Sequence, residues 1–366
     1  MIEKLIDLSA RNRFMVLLFV AMMSAWGVWA LLNTPLDAIP DLSDTQVIVF
    51  TEWPGRSPDI VEDQITYPIV TSLLAAPKVQ FVRGQTFFGL SFVYVIFQEG
   101  TDIYWARSRV LEYMNEIEAQ LPEGVIPKLG PDATGVGWVF QYALVDRSGT
   151  HNLADLRTFQ DWYLKPWLEA VPGVAEVASV GGFVKQYQIE IDPNRLLAYN
   201  IPLKRVIQAV RASNNDVGGR TLEMASTEFM LRGRGYIKSL EDIENIPVKA
   251  SSNGTPVLVR NLANVAIGPD MRRGIAELDG EGETVGGIVV MRYGENAYRV
   301  IEHVKEKIEL VKPSLPEGME IVTTYDRSVL IDCAITTLRE KLTEEMIAVS
   351  IILILFLLHF RSALIP

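Results

Sequence analysis

Residues 14–32, FMVLLFVAMMSAWGVWALL, form a run of nineteen without an ionisable side chain, and no other feature constrains the fold as much. At about 1.5 Å of rise per residue the run spans roughly 28 Å as a helix, close to the thickness of a bilayer's hydrocarbon core. In lipid every backbone N–H and C=O needs an internal partner, so such a run is stable there only as a helix. Arg11 and Arg13 precede it; Asp37, Asp41 and Asp44 follow, and the next basic residue is Arg56. That asymmetry keeps the N-terminus in the cytoplasm and exports what comes after. A cleavable signal would have a shorter apolar core followed by small residues. Here Trp26, Trp29, Leu31 and Leu32 fill that end, so the run reads as an anchor.

A second apolar stretch, 346–358 (MIAVSIILILFLL), is short for a span, but a helix over 337–360 has the required length. It is apolar all round from 351 to 358, which argues against the one-sided core helix of a soluble domain. Arg361 then returns to the cytoplasmic side. Neither span carries Asp or Glu at mid-depth, the usual mark of proton translocation. A long polar middle explains why the hydrophobic fraction is 49% and the mean hydropathy only +0.17. The net charge of −11, with no basic stripe, excludes a nucleic-acid partner. Cys333, the single cysteine, cannot form an internal disulfide, and His151, His303 and His359 lack metal-ligand spacing. No nucleophile–base, phosphate-loop or metal-hydrolase pattern points to an enzyme. Because the sequence stops six residues after Phe360, we expect it to be the N-terminal portion of a longer protein.

The middle reads as two related layers. β-rich runs and helical apolar spacing predict a strand at 46–50, a helix from Ser57 and Pro58 to Leu73, strands at 79–85 and 90–98, and a helix capped by Thr101 or Asp102. The acidic face of that helix, Glu112, Glu116 and Glu118, reads as solvated surface. This β-α-β-β-α order fits a ferredoxin-like split βαβ layer. A second copy starts with a strand at 138–145, a helix at 153–170 and strands at 174–180 and 184–191. The junctions repeat: Ala76-Pro77-Lys78-Val79 matches Val171-Pro172-Gly173-Val174, and Leu121-Pro122-Glu123-Gly124 matches Leu315-Pro316-Glu317-Gly318. Pro77 to Pro122 is 45 residues and Pro172 to Pro316 is 144, so the second copy carries about 99 extra residues. They are expected near its second strand pair, over 192–281, with a helix at 203–213 and a Gly218-Gly219-Arg220 turn. The parent layer resumes with a strand at 284–292, a helix at 295–311 and a strand at 319–325; Asp326 or Ser328 caps the helix beyond. A loop-rich insert of this kind reads as a docking surface.

Several stretches stand out as motifs: Asp37-Ala38-Ile39-Pro40-Asp41-Leu42-Ser43-Asp44, Trp53-Pro54-Gly55, Val61-Glu62, Thr66-Tyr67-Pro68 and Gly130-Pro131-Asp132-Ala133-Thr134-Gly135. Downstream come EVASVGG at 176–182, IGPDMRRGIAE at 267–277 and Tyr325-Asp326-Arg327-Ser328. In these stretches the chain resembles the heavy-metal branch of the RND (resistance–nodulation–division) efflux transporters, closest to the copper/silver, Cus-type subgroup.

The resemblance implies a membrane α+β fold, with two transmembrane helices flanking two ferredoxin-like βαββαβ periplasmic porter subdomains. The division is then a cytoplasmic or interfacial N-terminal helix (1–13), transmembrane helix 1 (14–32), porter subdomain 1 (33–133), porter subdomain 2 (134–191 and 282–330) with an inserted docking subdomain (192–281), transmembrane helix 2 (337–360) and a cytoplasmic end (361–366). It further implies a multi-pass protein of the Gram-negative inner membrane that works as a homotrimer with a periplasmic adaptor protein and an outer-membrane channel. No bound cofactor is implied: the cargo is Cu(I) or Ag(I), and the proton gradient supplies the energy through carboxylates beyond this sequence. Two alternatives stay open at this point, a divalent zinc, cobalt or cadmium exporter and a membrane-anchored binding module or gene remnant without transport.

Met271, in GPDMRRG, corresponds to a methionine of the family's exit pathway, and a thioether is a soft ligand suited to Cu(I) or Ag(I). Arg83, at a strand end, resembles an arginine lining the periplasmic cleft. Asp132 reads as a turn former rather than a ligand. Met224, Met230 and Met291 read as packing residues, and Met15, Met22 and Met23 as lipid-facing or helix-packing ones.

Overall fold

The computed structural model describes residues 11–34, 37–250, 254–272 and 274–357. Most of the expected 1–13 helix, residues 358–360 of the second span and the 361–366 end lie outside them. The first helix, α1 (Arg13–Asn33), encloses the apolar run and closes where the Thr34 amide donates to the Ala30 carbonyl. Its Arg13–Ala30 stretch is the one helix among the described residues that is long and apolar enough to cross a membrane.

β1 (Gln46–Glu52) alternates strictly, with Val47, Val49 and Thr51 buried and Gln46, Ile48 and Phe50 on the other face. The chain then turns helical: α2 (Pro58–Val61), a π turn (Glu62–Thr66) and α3 (Tyr67–Leu73). The π turn has a local cause. Pro68 lacks an N–H, so the i→i−4 bond to Gln64 cannot form, and a wider turn just upstream absorbs the missing link.

β2 (Val79–Phe87), β3 (Leu90–Phe97), α4 (Ile103–Ile117) and β4 (Pro127–Leu129) complete a four-stranded sheet in the order β2-β3-β1-β4. Asp102 caps α4 by accepting from the Trp105 amide at 2.8 Å. Val47, Val49, Val93 and Val95 of the sheet bury against Ile65, Ile69, Val110 and Met114 of the helices. Thr66 is the buried polar member of the helix face, and its hydroxyl meets those of Ser91 (2.7 Å) and Thr86 (2.8 Å). The helix lies so close that a Cβ at Gly84 would stand 2.5 Å from Thr66 Cγ2.

The second layer opens with β5 (Trp138–Asp146), followed by α5 (Leu153–Phe159), a π turn (Gln160–Leu164) and α6 (Lys165–Glu169). Pro166 stands just past this π turn as Pro68 does past the first. β6 (Val174–Gly181) then ends at Gly181 and Gly182, with φ of +71° and +60°. A side chain at Gly181 would meet the Thr284 carbonyl at 2.2 Å, so this corner requires glycine.

Beyond the corner β7 (Lys185–Ile191) leaves the layer, contrary to its expected place at 184–191 in the second porter subdomain. It pairs with β12 (Ala263–Pro269) instead. Between them come α7 (Pro193–Ala198), α8 (Leu203–Ser213), the hairpin β8 (Val217–Met224) and β9 (Thr227–Gly233), α9 (Leu240–Glu244), β10 (Pro247–Ala250) and β11 (Pro256–Leu258). Gly218 to Arg220 are strand residues around a bulge rather than a turn, and the chain reverses at Ala225 and Ser226. Ile201, Val206, Ile243, Ile246, Val259 and Leu262 form a separate core.

The chain accordingly divides into two compact units, 1–148 with 160–180 and 286–366, and 149–159 with 181–285. The second of these units encloses the 192–281 stretch expected as the insert and adds 149–159, 181–191 and 282–285 to it.

The second layer resumes with β13 (Val285–Met291), α10 (Ala297–Val311, capped by Asn296) and β14 (Met319–Asp326). Its sheet order is β14-β5-β13-β6. With the insert set aside, each layer has the same strand order, first strand beside fourth and third. α11 (Arg327–Leu357) runs on from β14 and holds charged Arg339, Glu340, Lys341, Glu344 and Glu345 before its apolar stretch. Its described part does not have the length and apolarity of a span, in contrast to the expected helix at 337–360.

Candidate functional site

Arg83 lies on β2, an edge strand, directly opposite Tyr94 of β3. It borders a concavity of about 450 Å³ lined by Asp44, Gln46, Gln85, Tyr94 and Ile96 as well. The alternation of β1 to β3 explains the cluster: valines take the helix-covered face, and the polar and aromatic residues take the other. The Arg83 guanidinium rests over the Phe81 ring at 4.6 Å, a cation–π contact that holds it along the strand.

A guanidinium offers only donors, so Arg83 cannot ligate a cation. Asp44, Gln46 and Gln85 offer hard oxygen, which suits neither Cu(I) nor Ag(I). This concavity can balance charge and orient carboxylates or water, and it has no soft donor in its lining.

Met271 belongs to the inserted unit, in the loop after β12. Its side chain is 74% exposed. The loop is anchored on either side: the Asp270 amide donates to the Val184 carbonyl at 2.9 Å, the Asp270 carboxylate accepts from the Met271 amide, and Arg272 pairs with Glu283. The thioether is thus presented from a tethered loop. One thioether is a single soft ligand, so a metal held here would need further donors. Met224 and Met230 are also exposed, on the β8–β9 hairpin, whereas packing was expected for them; Met291 is buried in β13. Met15, Met22 and Met23 are exposed on α1.

Asp132 does more than shape a turn. Its carboxylate accepts from the Tyr104 hydroxyl of α4 at 3.2 Å and pairs with Arg292 at 3.6 Å, while its carbonyl accepts from the Tyr293 amide. The linker between the two layers is thereby tied to both. Thr134, in the same linker, donates to Asp41 at 2.7 Å. Burial pulls the Asp41 carboxyl up, but that bond and those from Ser43 leave it below the usual carboxylate value.

Two polar clusters were not foreseen as such. Lys305 of α10 reaches Asp326 (2.7 Å), Glu302 (3.0 Å) and the Ser328 hydroxyl (2.7 Å). Beside it Arg327, buried, pairs with Asp37. The stretches 37–44 and 325–328 both stood out as motifs, but nothing in either one announces the other as its partner.

The chain belongs to the AcrB/AcrD/AcrF family, whose model matches residues 5–366, and its fold is that of an RND-type transporter. Over 365 residues and the whole chain it is 58% identical to the cation efflux system protein CusA of Escherichia coli (strain K12), of which it spans 35%. It is 38% identical over its whole length to the cobalt-zinc-cadmium resistance protein CzcA of Cupriavidus metallidurans, again spanning 35%. A crystal structure of a heavy metal efflux pump, 35% identical, superposes on 98% of this chain and 36% of the pump with a TM-score of 0.88. The chain thus spans about a third of the proteins it matches.

Proposed function

We propose that this chain is the N-terminal portion of a proton-driven exporter of Cu(I) and Ag(I), a secondary active transporter in the inner membrane of a Gram-negative cell. The observation that carries this reading is the 58% identity over the whole chain to a cation efflux protein, against 38% to a relative named for cobalt, zinc and cadmium. On this reading the two sheet layers are ferredoxin-like porter subdomains, the insert around 192–281 is the docking subdomain, and α1 and α11 are the first two transmembrane helices. The full-length protein forms a homotrimer and joins a periplasmic adaptor and an outer-membrane channel. Arg83 lines the cleft through which metal passes, and Met271 is one soft ligand on the way out. The chemistry agrees with that division: the oxygen-lined concavity offers a soft ion no capture, and the exposed thioether offers it a transient ligand.

The test is tolerance of silver, copper and zinc in cells that carry the full-length protein. Silver and copper tolerance should rise and zinc tolerance should not. A rise confined to zinc or cobalt would favour a divalent cargo, and no rise for any metal would favour a binding module. Met271→Ile should lower silver tolerance several-fold while leaving membrane abundance unchanged. Unchanged tolerance would remove Met271 from the pathway.

A further inference from the structure

Arg327 is the one charged residue among the buried side chains of the described chain, 3% exposed. Burying a guanidinium is costly unless it is paired and hydrogen-bonded. Its Nη1 donates to Asp37 Oδ2 at 3.1 Å and its Nη2 to the Trp138 carbonyl at 2.7 Å, while Nε, also buried, finds no acceptor among the described residues. Asp37 is fixed in turn, because its Oδ1 accepts from the amides of Ala38 (2.7 Å) and Ile39 (3.3 Å).

These contacts join three segments that are remote in sequence. Asp37 follows the end of α1 by only a few residues, Trp138 opens β5, and Arg327 is the first residue of α11, directly after β14. Measured against apolar packing, a buried ion pair is a weak source of stability; what it fixes is geometry. A planar guanidinium sets direction as well as distance, which a lysine ammonium does not. Lys305 of α10 braces the same β14–α11 junction through Asp326 at the end of β14.

We infer that Asp37 and Arg327 are positioning residues for transport, forming a joint that holds the exit of α1 and the root of α11 to the second sheet layer. The inference rests on the transporter reading above. Without the joint, the layer can shift while the membrane helices stay behind, and movement in one part is lost before it reaches the other.

The test uses the full-length protein in membrane vesicles with Ag+ as the probe, comparing wild type with Asp37→Asn, Arg327→Lys and Asp37→Glu. In Asp37→Asn and Arg327→Lys the maximal export rate should fall on the order of tenfold, in the first because the buried guanidinium loses its counter-charge and in the second because an ammonium does not reproduce the fixed directions to Asp37 and the Trp138 carbonyl. The half-saturating Ag+ concentration and the membrane abundance should stay within about twofold of wild type, since the ligands lie elsewhere. Asp37→Glu, which keeps the charge, should recover part of the rate. Amide hydrogen exchange over 37–45 and 327–333 should quicken in the two impaired variants. Wild-type rates in them, or losses of rate and abundance in equal proportion in all three, would overturn the inference. If wild type itself exports no Ag+, the transporter reading fails, and unchanged hydrogen exchange in Asp37→Asn would then sink the joint separately.

Discussion

Tyr142 shows how single residues hold the second layer together. Burial pushes its phenol well above the ordinary value, so it remains a neutral donor, and its hydroxyl bonds to Oε1 of the fully buried Gln160 at 2.9 Å. Gln160 in turn donates to the Ser179 hydroxyl at 3.3 Å. β13 carries two glycines against Tyr142, Gly287 beside the ring and Gly286 beside the backbone. A Cβ at Gly287 would stand 2.4 Å from Tyr142 Cζ, and one at Gly286 would stand 2.5 Å from the Tyr142 carbonyl oxygen. Tyr142→Phe should therefore cost roughly 1–3 kcal/mol, since the Gln160 carbonyl is left buried without its donor. Gly286→Ala presses on backbone, which cannot rotate aside, and overpacking of this kind costs about 1–3 kcal/mol or more. Thermal unfolding of the purified full-length protein in detergent should show lower midpoints for both variants. A midpoint equal to wild type for Tyr142→Phe would mean that Gln160 finds another donor.

At the scale of elements, the β14–α11 junction makes a prediction about pH. Burial pulls the Asp326 carboxyl up, but the bonds from Lys305 and Ser328 outweigh it and leave it below the ordinary 3.8. Its stabilisation is therefore complete above that value and is lost as pH falls through the lowered one. Burial pulls Lys305 down, but Asp326 and Glu302 outweigh it and leave it above the ordinary 10.5, so its share is lost only as pH rises through the raised value. Asp326→Asn should thus be less stable than wild type at pH 7, with the gap closing in strong acid; denaturation midpoints across pH would show this. A gap that widens in acid would contradict the sign.

The same elements mark what could be read in advance. β-rich composition bounded by turn residues made β1 and β3 legible, whereas the helices at 58–73 and 153–170 were expected unbroken and each holds a π turn just before an in-helix proline, Pro68 and Pro166. The strand at 184–191 was misplaced because strands a few residues apart normally pair as a hairpin, and only tertiary space at Gly181 shows the chain changing sheets. The Arg327–Asp37 pair spans 290 positions, a separation at which local pattern carries no information. Met271 could be singled out only through a motif, since a lone thioether has no signature of its own.

For the whole molecule, the division of labour follows from chemistry. The described part offers a lipid-length helix whose only charge is Arg13 at its start, two four-stranded layers, a tethered exposed thioether, and no carboxylate within α1. On the transporter reading proposed above, protons cross elsewhere, and this portion carries movement and metal. The most direct measurement is Ag+ transport by the full-length protein in liposomes under an imposed pH gradient. Transport should begin when the gradient is imposed, stop when a protonophore collapses it, and give no comparable signal with Zn2+. Transport of Ag+ that ignores the gradient, or of Zn2+ in preference to Ag+, would contradict a proton-driven exporter of monovalent soft metals.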